Sequence, residues 1–122
     1  MEQELLLIAI LFIFIDYFYL SYSFDWFNSV VMTIQNAYIT PKHLGFVLAY
    51  ASIVFQFYYF VVKKDMSITD AFILGFTTYA IFDFTNYTIF TDYPLNIGIM
   101  DTIWGGTLYA TVAYLTNKFL RS

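Results

Sequence analysis

The chain reads as an all-α membrane protein, with four transmembrane helices and a short interfacial helix between the first and second. Three observations predict this. Hydrophobic residues make up 61% of its 122 residues and charged ones only 11%, whereas a soluble domain is roughly a quarter charged. Mean hydropathy is +0.68. The apolar residues gather in four runs, each close to the roughly 20 residues that cross a bilayer core. At this length the runs form a single domain, residues 1–122.

The first run, about 5–24, is interrupted only by Asp16. The residues before it are acidic, while a secretory leader would open on basic ones and end at a small-residue cleavage site. The run is therefore expected to stay in the protein. Residues 25–43 are more polar, with Trp26, Phe27, Val30, Val31, Ile34 and Tyr38 at helical spacing. Asp25 suits the cap of such a helix, which is expected to lie in the interface. A loop with an aromatic anchor is the alternative.

The second span covers about 44–62, with Gln56 its one strongly polar residue, and Lys63-Lys64-Asp65 closes it. Ser67-x-x-Asp70 reads as a capping box with Asp in the usual Glu position. It opens the third span, about 68–90. A turn at Thr91–Pro94 follows, proline suiting a helix start. The fourth span runs over about 95–117, ahead of Lys118 and Arg121.

Four spans place both termini and the Lys63–Lys64 loop on one side. That side holds Lys63, Lys64, Lys118 and Arg121, and the other holds Lys42 alone. The bias predicts cytoplasmic termini. A stripe of small residues, Gly98, Thr102, Gly106 and Ala110, marks the fourth span, and Ala71 and Gly75 mark the third. Such residues let helices approach closely in lipid, so Gly75, Gly98, Thr102, Trp104, Gly105 and Gly106 are the expected packing positions.

Composition narrows the chemistry. Nine acids against five Lys and Arg give a net charge of −4, which argues against a nucleic-acid partner, since phosphate binding needs clustered bases. With no cysteine and one histidine, His43, thiolate and imidazole metal sites have no ligands. No cofactor site and no glycine-rich phosphate loop are expected. Asn86-Tyr87-Thr88 matches a glycosylation sequon, but it falls inside a span.

What needs a reason is charge within the apolar runs, because an acid in the membrane is expensive. Asp16 lies eight residues before the outer end of the first run, Asp83 seven before that of the third, and Asp101 six after the start of the fourth. All three then sit roughly 9–12 Å below one boundary. Asp83 and Asp101 are nearly equidistant from the turn, so they should face each other. Tyr19 accompanies Asp16, Tyr79 and Asn86 accompany Asp83, and Trp104 accompanies Asp101. No Lys or Arg lies in the runs to neutralise them. Buried carboxyls beside like neighbours favour the neutral form, so at least one is expected to be protonated and to donate a hydrogen bond between helices.

Two aspartates on adjacent spans suggest an intramembrane aspartyl protease, where a dyad shares one proton. The Tyr-Asp and Gly-x-Gly-Asp motifs are missing: Asp83 follows Phe82 and Asp101 follows Met100. Hard-cation binding by Asp83, Asn86 and Asp101 oxygens is chemically allowed, but no spacing specifies it. The expected catalytic and metal residues are therefore none, and the polar cluster is Asp16, Asp83, Asn86 and Asp101.

These same residues carry a family likeness. The chain resembles the predicted-membrane-protein family classed as domain of unknown function 2177. Its members show an acid in the first helix, a Tyr-Asp-Leu-Thr-Asn-like stretch in the third and Asp-x-x-Trp-Gly in the fourth. Here these are Asp16, Phe82-Asp83-Phe84-Thr85-Asn86 and Asp101-Thr102-Ile103-Trp104-Gly105. Phe82 stands where the family has tyrosine, and the first loop is shorter and less basic than the family leads one to expect. The resemblance implies four spanning helices and membrane residence, with no assigned activity. Similar sequences occur in cells and in large DNA viruses, so it also implies a viral membrane component as one setting.

The expected function is that of a small polytopic protein of the lipid bilayer, a structural or scaffolding component of a larger assembly or a homo-oligomer. The alternative is a proton- or cation-coupled transporter or channel that uses the acidic cluster. A lipid-modifying enzyme stands third.

Overall fold

Between Glu2 and Gln35 the chain has neither glycine nor proline to interrupt a helix. It forms one unbroken helix, α1 (Glu2–Gln35), of 34 residues. At about 1.5 Å per residue it is about 50 Å long, well beyond a hydrocarbon core of about 30 Å. The coordinates are a computed structural model that describes residues 2–37, 39 and 42–121, the last of these by its backbone alone.

The expected separate interfacial helix is therefore corrected. Its residues 25–35 are the last three turns of α1, and Asp25 lies mid-helix rather than at a cap. Val30 is buried there against Tyr93 and Ile97, with Phe27 and Ile34 alongside. Apolar contact with the neighbouring helical turn takes the place of contact with the interface. The loop alternative is excluded for residues 25–35 as well, while Tyr38 lies outside the described residues. Asn36, at φ 56°, ends α1. Its N–H bonds the Met32 carbonyl at 2.8 Å, a left-handed stop that asparagine tolerates.

The helix α2 (His43–Phe57) continues without a break into a π-helical turn, Tyr58–Val62. Asp65, at φ 54°, then reverses the chain, and the Met66 N–H closes on the Val61 carbonyl at 2.9 Å. The Lys64 ammonium lies 4.7 Å from the Tyr59 ring centre, within cation–π range. Ser67 caps α3 (Ile68–Ile89) by accepting the Asp70 N–H at 3.1 Å, as the Ser67-x-x-Asp70 pattern predicts. The turn before Pro94 closes with Tyr93 N–H on the Phe90 carbonyl at 3.3 Å. Directly after Pro94, α4 (Leu95–Arg121) begins.

The tightest packing is the α3–α4 hairpin. A methyl group at Gly75 would collide with the Gly105 carbonyl and the root of the Tyr109 ring. One at Gly105 would strike Tyr79, and one at Gly106 would meet Phe72 at 2.7 Å. One at Gly98 would make ordinary contact with Asp83 and Phe84, at 3.6 and 3.7 Å. Across this hairpin lies α1, joined by α2, and the main core forms toward the chain termini. Phe12, Phe57 and Tyr109 meet there edge to face, with centroids 5.0, 5.3 and 5.7 Å apart. Ile8, Val61, Leu108 and Val112 complete it.

The described residues form helices and no strand. Among them α1 and the continuous helix His43–Val62 are long and apolar enough to cross a membrane. With 22 and 27 residues, α3 and α4 have the length, but aspartate, asparagine and threonine lower their hydropathy. Thr77, Thr78, Thr88, Thr107 and Thr111 each donate to a carbonyl of their own helix one turn back, at 2.7–2.9 Å, so these hydroxyls do not depend on water.

Candidate functional site

Above the aromatic core the helices bring their polar side chains together in two layers. The lower layer centres on Gln56 of α2. Its amide nitrogen donates to Thr78 of α3 at 3.1 Å, and its amide oxygen accepts the Tyr109 hydroxyl of α4. One glutamine thus ties three helices.

The upper layer holds the acids. Trp104 of α4 donates its indole N–H to Asp16 of α1 at 2.9 Å, and Tyr50 of α2 donates to the other Asp16 oxygen. Tyr19 of α1 donates to Asp101 of α4 at 3.0 Å. The rings of Tyr19 and Trp104 stack, 4.6 Å apart and 3° from parallel. Each ring reaches across to the acid of the opposite helix. Tyr19 and Trp104, the polar company expected on the faces of Asp16 and Asp101, bond crosswise: Tyr19 to Asp101 and Trp104 to Asp16. A side chain one turn away runs parallel to the acid, whereas the stacked ring of the facing helix points at it.

Asp83 is fully buried in α3. It accepts the Tyr93 hydroxyl at 2.6 Å, and Asn86 stands near the same hydroxyl. Burial first, then the Asp83 carboxyl, push the Tyr93 phenol upward, so it stays a neutral donor. The Asp83 carboxyl neighbours that of Asp101, the facing that their equal distance from the turn predicts. Asp101 also lies within electrostatic range of Asp16. Asp83 Oδ2 and Thr102 Oγ1 are buried without a hydrogen-bond partner. Among the described residues no group of three acids or histidines is placed to hold a metal ion.

Sequence reasoning missed Tyr50, Tyr93, Thr78 and Tyr109. The chain has twelve tyrosines, and no local pattern separates those that meet an acid from those that face lipid. Tyr93 had one usable signal, its place in the turn above Asp83.

Beside this layer lies a cavity of about 640 Å³. It opens because α2 packs unevenly: of its residues only Phe57, at the far end, is buried. Toward its start the α2 side chains are exposed, and a wedge opens beside α1 and α3. Leu20, Phe24, Phe27, Phe46 and Ile53 line the wedge, and Asp16 and Asp101 line its polar end.

Neither a curated protein nor a solved structure matches the chain. A family model does, over residues 3–117, and its description is "Predicted membrane protein (DUF2177)". That range takes in Asp16, the Asp83–Asn86 stretch and the Asp101–Gly105 stretch, and on this match the chain belongs to the DUF2177 family of predicted membrane proteins.

Proposed function

We propose that this protein is a four-span membrane scaffold component whose intramembrane acids fasten its helices, with both termini on the cytoplasmic side, and that it serves as a subunit of a larger membrane assembly or homo-oligomer. One observation carries the reading: both oxygens of Asp16 and one of Asp101 accept hydrogen bonds that join α1, α2 and α4. Interhelical hydrogen bonds of this kind hold membrane bundles together. Four spans are supported by threonine hydroxyls that bond within α3 and α4 and by apolar side chains on the outside of every helix, among them Phe14, Phe55, Ile81 and Phe119.

A second reading, proton- or cation-coupled transport, has one observation in its favour. The buried Asp83 carboxyl has an oxygen with no partner and stands beside Asp101. Flux in proteoliposomes separates the two readings. The scaffold reading expects no proton or cation flux from the wild type, with Asp83→Asn and Asp101→Asn still helical by circular dichroism. Wild-type flux that both substitutions abolish would replace it with transport.

A further inference from the structure

We propose that the wedge between α1, α2 and α3 is a binding site for a lipophilic amine, with its hydrocarbon chain along the aromatic wall and its ammonium at Asp101. The volume of about 640 Å³ falls within the range of small-molecule sites, roughly 300–1,000 Å³. Its walls are mostly Leu, Ile, Val and Phe side chains, with Thr78 and Tyr79 among them, and they suit an alkyl or prenyl chain. Its polar end is acidic. Asp16 and Asp101 are 6% and 7% exposed, so each is more than nine-tenths buried, and both line the cavity.

The two acids differ in what they have left to offer. Asp16 has a donor for each oxygen, Trp104 and Tyr50. Asp101 receives one phenol, Tyr19, on Oδ1, and it neighbours the carboxyl of Asp83. No Lys or Arg lies between Leu44 and Val62 or between Ile68 and Asn117, so the chain supplies no cation to the layer. A buried carboxylate without a counter-charge is costly, and an arriving ammonium offsets that cost with a charge-assisted hydrogen bond. A fatty carboxylate would add a third acid to a layer that has no cation, and a fatty alcohol brings no charge. The site therefore selects an amine. This inference does not depend on the scaffold reading, since a scaffold or a transporter could hold such a ligand.

Trp104 is the reporter, because it touches Asp16 and stacks on Tyr19. With Trp26→Phe it becomes the chain's sole tryptophan. The protein in phosphatidylcholine nanodiscs is titrated with a long-chain alkylamine brominated along its chain, beside the alcohol and carboxylate of equal length. Saturable quenching is expected for the amine, at a concentration about tenfold below that for the alcohol, the factor a charge-assisted hydrogen bond supplies. Asp101→Asn is expected to remove the preference. Ala49→Phe, which fills the wedge and leaves both acids in place, is expected to remove saturation, and it carries the test if Asp101→Asn does not fold. Equal quenching by all three probes, unsaturated and unchanged in Ala49→Phe, would mean simple partition into lipid and would overturn the proposal. So would an amine preference that survives Asp101→Asn.

Discussion

Tyr19 and Trp104 show at the residue scale how acids are held in an apolar bundle. Each ring lends its stacking face to the other and its polar edge to the carboxyl of the opposite helix. Trp104 can only donate, so its partner oxygen on Asp16 must accept. Asparagine retains an accepting oxygen and adds an N–H for Tyr50, so Asp16→Asn should leave stability nearly unchanged. Asp16→Ala loses both bonds and should cost about 1–3 kcal/mol, read as a lower midpoint of thermal unfolding in detergent. Equal loss in both variants would show that charge, rather than hydrogen bonding, holds the layer. The neutral acid expected from the sequence has its natural place at Asp83, whose Oδ2 is buried without a donor beside Asp101. A proton there lets one carboxyl donate to the other. Infrared spectra at neutral pH should show a protonated carbonyl band that Asp83→Asn removes; a wild type without that band contradicts the assignment.

At the scale of the element, two features decide the architecture. One is the glycine seam of the hairpin. Gly75 and Gly105 each lie where a Cβ would enter backbone or the root of a ring, places that cannot swing aside. Gly75→Ala or Gly105→Ala should therefore destabilise by about 1–3 kcal/mol, the usual cost of overpacking. Gly45, with nothing within 4 Å, is the control, and Gly45→Ala should be neutral or slightly stabilising. Comparable loss at all three positions would take the seam out of the account. The other feature is the unbroken α1. Phe24→Pro should cost roughly 3 kcal/mol or more by breaking a helix interior and should lower helical content. A separate interfacial helix capped at Asp25 would have tolerated proline at that junction.

On the scale of the whole molecule the helices make a layered bundle. Aromatic packing lies near the termini, Gln56 and its partners come next, then the acids, and Val30 with Tyr93 and Ile97 closes the far end. Lys63 and Lys64 sit at the end of the bundle that holds the termini. The absence of cysteine makes single-cysteine labelling clean. Lys64→Cys and Asn36→Cys, tested separately in sealed vesicles with an impermeant maleimide, should label from opposite sides, with Lys64→Cys on the side of the termini. Labelling of both from one side would contradict a span between them and with it the four-span topology.

Much was legible from the chain alone because lipid is an exacting solvent. Long apolar runs, the Ser67 cap and the turn before Pro94 are local signals, each set by neighbouring residues. The facing of Asp83 and Asp101 was also readable, since a tight hairpin ties depth to distance from its turn. Tertiary structure decided the remainder. Whether residues 25–35 lie in the interface or extend α1 depends on Tyr93 and Ile97, far along the chain. Which ring serves which acid depends on helices one and four meeting face to face, and that contact carries no local mark. The wedge arises because α2 buries a side chain only at its far end and otherwise reaches α1 through Tyr50, a balance among three helices that no single segment encodes.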